Sequence, residues 1–300
     1  MIKRYLPLLF VLLVVIATAV VFLVLREPEP TTDARPTAPD TPPAMRTGAD
    51  GIPEFRVESE EEYQQALAAL GTSEEEIEAW ARSQGFPPAT YTRLGGEALE
   101  RNYRRLRNTQ LRELAQEGDH WAMQFLAADI GPETPLEAVH WYRQAVVHGS
   151  AYAAFKLGGL YRDVARWIAI NQDDRDEVVE IARRENPLAY ASLGWVLVAE
   201  YEAGLPPGAM SATLTGFQAP HDGLTESCQR AAELLAEVQA ERAALGLEVP
   251  RRKPPLVVEL PPEEIASYCD PGVFPRSDYS ACETVRLVGD AGAVTGHRCR

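Results

Sequence analysis

The hydrophobic pattern changes character several times along the chain. Tyr5 to Leu25 carries no charge over 21 positions. As a helix rising about 1.5 Å per residue it spans ~31 Å, the depth of a bilayer's hydrocarbon core. This run predicts a transmembrane signal-anchor helix over residues 5–25, with Pro7 in the first turn, where a missing N–H costs little. A cleaved signal peptide is the rival reading, since Ala17-Thr18-Ala19 resembles a cleavage triplet. The apolar region of such a peptide is ordinarily about 7–15 residues long, and cleavage here would leave VVFLVL as a sticky terminus. Residues 26–55 then lose all apolar periodicity and are dense in Pro, Thr, Ala and Asp. Such a stretch buries too little surface to offset its ordering entropy, so a disordered linker is expected.

Helical periodicity follows and defines a region over residues 56–108. Ser59 stands before EEEYQQALAAL and Gly71 after it. Thr72 and Ser73, each with a glutamate three residues on, form overlapping capping boxes for EEEIEAWARSQ, which Gly85 ends. Glutamates crowding these first turns complement the helix dipoles, which accounts for them without a cation site. After the loop FPPATYTRLGG, ALERNYRRLRNTQLRELAQ is again helical.

From residue 109 to 205 the pattern repeats itself. Gly118 and Gly149 lie 31 residues apart, and each is followed by an alanine-rich helix. Self-similarity at such a period predicts stacked helical hairpins, with small residues allowing close helix approach and large ones filling the next groove. Thr134-Pro135 starts one of these helices with a cap and a first-turn proline. The second half of one hairpin carries Ala138, Trp141, Tyr142, Ala145 and Gly149, and the first half of the next carries Ala154, Leu157, Gly158 and Tyr161. These residues resemble the SEL-one-like repeat, a relative of the tetratricopeptide repeat. Ala115, Gly118, Asp119 and Ala122 resemble a repeat junction, while Phe125, Leu126 and Asp129 replace the Leu, Gly and Tyr of the pattern. Residues 186–204 keep Leu193-Gly194 but carry Tyr190 and Leu197 for the alanine and tyrosine. The resemblance covers about a third of the chain and implies an adaptor role. It also implies that Trp141 is largely buried between hairpins and that Gly158 faces a neighbouring helix closely. The segment 171–176 and its helix EVVEIARR interrupt the period.

Residues 206–249 read as a loop and one long helix, Thr225 to Leu245, stopped by Gly246. The tail, 250–300, is different: LVVEL suggests a strand, Pro261-Pro262-Glu263-Glu264 a helical turn, and CETVRLV with AVTGHRC a β-hairpin. The fold class expected is therefore mainly α. It comprises a short α-solenoid, an N-terminal transmembrane helix and a small, disulfide-linked, partly β tail.

All four cysteines, Cys228, Cys269, Cys282 and Cys299, fall in the last quarter of the chain. An even set confined to a short terminal region predicts disulfides in an oxidising compartment. If Gly289 and Gly292 flank a two-residue turn, the register puts Cys282 opposite Cys299, at about 4.5–5.5 Å and within disulfide reach. Cys228 would then join Cys269 and pin the tail to the long helix. The rival pairing joins Cys269 to Cys282 and Cys228 to Cys299.

Composition narrows the function classes. Hydrophobic residues make up 46% and charged ones 24%, as in a chain that folds around a core. Asp and Glu outnumber Lys and Arg by 44 to 29, for a formal charge of −15. That balance argues against nucleic acid and against attachment to anionic lipid headgroups. No C-x-x-C pair occurs, and His140 and His148 lie eight apart, too far for two ligands on one helix. No catalytic, cofactor-binding or metal-ligating residue is assigned, and no cofactor is expected. Lys3 and Arg4 before the apolar run favour a cytoplasmic N-terminus over residues 1–4. The remainder is then periplasmic on a single-pass inner-membrane protein. The function expected is a membrane-anchored scaffold for an unidentified partner protein. The alternatives are an envelope hydrolase or glycan-binding protein with its site in the tail, or an inverted, cytoplasmic adaptor.

Overall fold

In a computed structural model, residues 46–48, 50–57, 59–87, 102–131, 133–171, 176–185, 187–206, 208–210, 224–258, 269–289 and 292–299 are described. All belong to one of the chain's two units, residues 41–300. The apolar run 5–25 and the turn at 261–264 lie outside the described residues. Among the described residues no helix is long and apolar enough to cross a membrane.

The fold is mainly helical with a small sheet. The helices are α1 (Glu60–Ala69), α2 (Glu74–Ser83), α3 (Asn108–Gln116), α4 (His120–Ile130), α5 (Pro135–Val147), α6 (Ala151–Asn171), α7 (Asp176–Arg184), α8 (Leu188–Glu202) and α9 (Leu224–Leu245). Their ends follow local chemistry. Ser59 and Ser73 accept the amides of Glu62 and Glu76, and Glu62 returns the bond to close a capping box. Asp119 caps α4 by accepting the Trp121 and Ala122 amides. Buried Ser150 does the same for Ala153 at the start of α6. Gly118 and Gly149 close α3 and α5 with φ of 95° and 98°, a region open to glycine.

Packing runs in sequence order: α3 on α4, α4 on α5, α5 on α6, then α6 on α8 and α8 on α9. From Ala191 to Glu200 every residue of α8 is buried, so this helix is central rather than amphipathic. It reaches α6 through a small-residue contact. A Cβ on Gly158 would lie 2.7 Å from the Ser192 carbonyl oxygen and from Val196 Cγ2, while the Ser192 hydroxyl donates to the Gly158 carbonyl at 2.7 Å. The two carboxylates buried with α8 are answered. Glu200 accepts the Gly208 and Met210 amides at 3.0 and 2.9 Å, and Glu202 pairs with Arg242 of α9 at 2.7 Å. Arg242 also donates to the carbonyls of Val146 and Val147, satisfying the end of α5.

Five strands, β1 (Arg46–Thr47), β2 (Pro53–Arg56), β3 (Leu256–Val258), β4 (Glu283–Gly289) and β5 (Gly292–Arg298), form one sheet in the order β1-β2-β4-β5-β3. β2 runs parallel to β4, and the other pairings are antiparallel. The strands β1 and β2 correct the expectation of a linker to residue 55. Phe55 is 2% exposed and packs with Ala66, Leu70 and Val285 in a second core. That burial supplies what local composition lacks. Gly289 pairs with Gly292 across the hairpin, and Cys282 is bonded to Cys299 beyond it. Cys228 of α9 is bonded to Cys269. Trp80 Nε1 donates to the Arg252 carbonyl at 2.8 Å and the Tyr279 hydroxyl to that of Gly204 at 2.6 Å, so the tail is stitched to the helices at several points.

Candidate binding groove

The residues of the repeat pattern are structural. Ala138, Ala145, Ala154 and Leu157 are fully buried, and Tyr142 and Tyr161 nearly so. Trp141 departs from the expectation of burial between hairpins. It is half-buried, packs one side against the core and donates Nε1 to Glu137 at 3.2 Å. Ala138, Tyr142 and Ala145 recur at the helical period on the inward face of α5, and Trp141 stands about 100° off that stripe.

A different set of side chains builds a groove. Trp121, Gln124, Phe125 and Ala128 occupy one stripe of α4, while Tyr152 and Lys156 are a turn apart on α6. Tyr142 of α5 reaches the floor, and Pro87 and Arg104 close the ends around a cavity of about 170 Å³. The walls are aromatic. Phe125 stacks on Tyr103 at 5.3 Å between centroids with the planes 2° apart, and on Trp121 at 6.4 Å. Opposite, Tyr152 meets Phe86 at 5.4 Å and Phe155 at 6.1 Å. Such contacts fix ring orientation beyond what area burial alone would do. The Tyr103 hydroxyl donates to the Asp119 cap at 2.7 Å. Burial and that neighbouring carboxylate push its pKa well above the usual tyrosine range.

Polar chemistry in the groove is sparse and one-sided. Arg104 and Lys156 line it, and among the described residues no carboxylate does. Gln124 is 5% exposed, yet neither its amide oxygen nor its nitrogen has a hydrogen-bond partner among the described residues. Gly85, at φ 78°, brings backbone against this amide and against Ser150, where any Cβ would collide. A buried primary amide left without partners costs about 1–3 kcal/mol, and sites of this kind call for an explanation.

Two histidines lie behind the groove. His148 sits over Gly118, with its ring carbon 3.1 Å from where a Cβ would be. His120 meets Trp121 at a tilt, with 5.7 Å between ring centroids. Burial lowers the pKa of both; nearby His148 adds to the effect at His120 while Asp119 opposes it, and Arg242 adds to it at His148. Among the described residues no cluster of His, Cys, Asp and Glu has the make-up of a metal site.

A larger cleft, about 600 Å³, is lined by Leu70, Trp80, Arg252, Lys253 and Arg298. Two of its cations are already engaged: Arg298 with the Leu70 carbonyl and Glu283, Lys253 with the Asp278 carbonyl. The smaller groove, with its unanswered amide and aromatic walls, is the stronger candidate. Sequence reasoning passed over it because its residues come from α4, α5 and α6 and from Pro87 and Arg104, far apart along the chain. The stripe Trp121-Phe125-Ala128 was visible in the periodicity, but nothing local placed Tyr152 opposite it. No family model, no curated protein and no solved structure matches this chain.

Proposed function

We propose that this protein is a membrane-tethered helical-repeat adaptor that holds a segment of a partner polypeptide in the groove between α4 and α6. On this reading α3 to α6 are stacked hairpins of the SEL-one-like type, and the groove is where successive first helices of the repeats come side by side. The observation that carries the proposal is the groove itself, lined by the half-buried rings of Trp121, Phe125 and Tyr152. Aromatic side chains that are rigid and partly exposed are the usual anchors of a protein interface. The uncharged run over residues 5–25 supports the tether, and two disulfides support an oxidising compartment. No catalytic step is assigned.

The test is photo-crosslinking in intact membranes. A photoreactive residue at Ala128, exposed on the groove, captures a discrete partner polypeptide, and Phe125→Ala abolishes the adduct. The same probe at Val179, 49% exposed on α7, captures none. Equal capture from both positions, or none from Ala128, defeats the proposal.

A further inference from the structure

Away from the groove, we infer that the Cys282–Cys299 bond is an exchange site for a small thiol that carries carboxylates, admitted by the basic cleft that Cys299 lines. Three observations converge on this chemistry. First, the two disulfides differ in access. Cys228 and Cys269 are 2% and 5% exposed and belong to the main core, whereas Cys282 and Cys299 are half-buried, and Cys299 lines the cleft of about 600 Å³. Exchange needs an attacking thiolate to reach a sulfur, so access separates a bond that serves the fold from one that reacts. Second, the cleft has the volume of a small-molecule site, and its charge is reversed relative to the chain. The protein carries −15 overall, yet Arg252, Lys253 and Arg298 line the cleft against the carboxylate of Glu76, which accepts the Thr72 hydroxyl at 3.0 Å. Arg298 is tied to the Leu70 carbonyl and Glu283, and Lys253 to the Asp278 carbonyl. Arg252 is different. Its guanidinium has no hydrogen-bond or ion-pair partner among the described residues, while the Trp80 indole holds its carbonyl at 2.8 Å. A guanidinium in that state pairs with a carboxylate and favours a nearby thiolate over the thiol. Third, the bond lies at the edge of the sheet. Cys282 precedes β4, and Cys299 follows β5 and donates its amide to the Pro255 carbonyl at 3.2 Å. Opening the bond therefore frees two strand ends and leaves the ladder from Glu283 to Arg298 paired.

The incoming thiolate attacks the Cys299 sulfur, the S–S bond breaks, and Cys282 leaves as a thiolate, so a mixed disulfide stands on Cys299. A second small thiolate attacks the small-thiol sulfur of that adduct. Cys299 then leaves as a thiolate and the small disulfide departs. Two small thiols are oxidised and one protein disulfide is reduced. The Cys282–Cys299 bond thereby reports the thiol content around the protein, while Cys228–Cys269 keeps the tail attached to α9.

The experiment uses the full chain in detergent under nitrogen. The probes are reduced glutathione, which carries carboxylates, and 2-mercaptoethanol, which carries none, at equal thiolate concentration. Aliquots are quenched with iodoacetamide, and each sulfur is located by non-reducing peptide mapping. Glutathione opens Cys282–Cys299 faster than Cys228–Cys269 by roughly tenfold or more, and the early adduct has glutathione on Cys299 and the alkyl group on Cys282. Arg252→Ala, with its helical signal intact, slows glutathione by roughly threefold or more and leaves 2-mercaptoethanol unchanged. Rising salt does the same to the parent protein. Both bonds opening together, neither opening, an adduct on Cys282, or an equal loss of rate for the two thiols overturns the proposal. The adaptor reading keeps its separate crosslinking test.

Discussion

The helical body and the sheet region reach stability by different routes. In the body, Leu157, Trp195, Val196 and Leu234 are 1% exposed or less, and helices α6 and α8 meet at backbone distance over Gly158. Its buried charges are paired, as Arg242 is with Glu202. Among the described residues the sheet's core cluster is small: Phe55, Ala66, Leu70 and Val285, with Val57, Leu256 and Leu287 packed against it. It is reinforced by the Cys282–Cys299 bond and by Arg286, which bridges Asp50 and Glu54 at 2.6 and 2.5 Å. Area holds one region, and crosslinks and ion pairs hold the other. Small apolar cores generally need such staples. Steric substitutions should therefore hurt the body most, and loss of disulfides the tail.

The largest effect should come from separating the two regions. Replacing Cys228 and Cys269 with serine removes a bond spanning 41 residues, worth about 4 kcal/mol in the chain-entropy treatment, against about 3 for the 17-residue Cys282–Cys299 bond. Denaturant unfolding with and without reductant measures both. Retained helical signal alongside lost tail protection in hydrogen exchange would confirm that the body stands without the staple, whereas collapse of both would erase the distinction. Gly158→Leu should cost about 3 kcal/mol or more, because the atoms it meets include the backbone of α8. Its neighbour is the control. Gly159 has open space around it, so Gly159→Ala should stabilise by ~0.5–1 kcal/mol. If both variants behave alike in urea, the close α6–α8 contact is not what holds the body.

Acidification should also separate the regions. His120 and His148 have pKa values below the ordinary 6.5 because they are buried. The unfolded chain therefore takes up protons first as pH falls, so body stability is full above about 6.5 and declines below it. Asp50 in the sheet behaves otherwise. Arg286 holds its pKa below the ordinary carboxylate value of 3.8, so its contribution persists until pH falls through that range. Thermal melts from pH 7.5 to 5 should show the body weakening first, and His120→Gln with His148→Gln should flatten the decline.

Much of the body was legible because its signals are local. Caps at Ser59 and Ser73, glycines 118 and 149 at helix ends, and the period of the small residues all lie within a turn or two of what they control. The hairpin register was legible for the same reason, and it set Cys282 facing Cys299. What escaped was long-range. Ile52, Phe55 and Val57 form too short an apolar run to stand out beside a Pro-rich stretch, and pairing with Leu287, far along the chain, makes Phe55 a strand residue. Trp141 and Tyr142 are adjacent, and which of them turns inward depends on the phase of α5. The groove needed α4 and α6 both packed on α5 before Trp121 and Phe125 could be seen to share a cavity with Tyr152.

The aromatic wall of the groove gives the most direct test of the central claim. Phe125→Ala, with an intact helical signal and cooperative urea unfolding, should abolish partner capture from a photoreactive residue at Ala128, because the ring it removes lines the groove between α4 and α6. A folded Phe125→Ala protein that captures its partner from Ala128 as well as the parent does would contradict the account, and the groove would lose its claim to be the binding site.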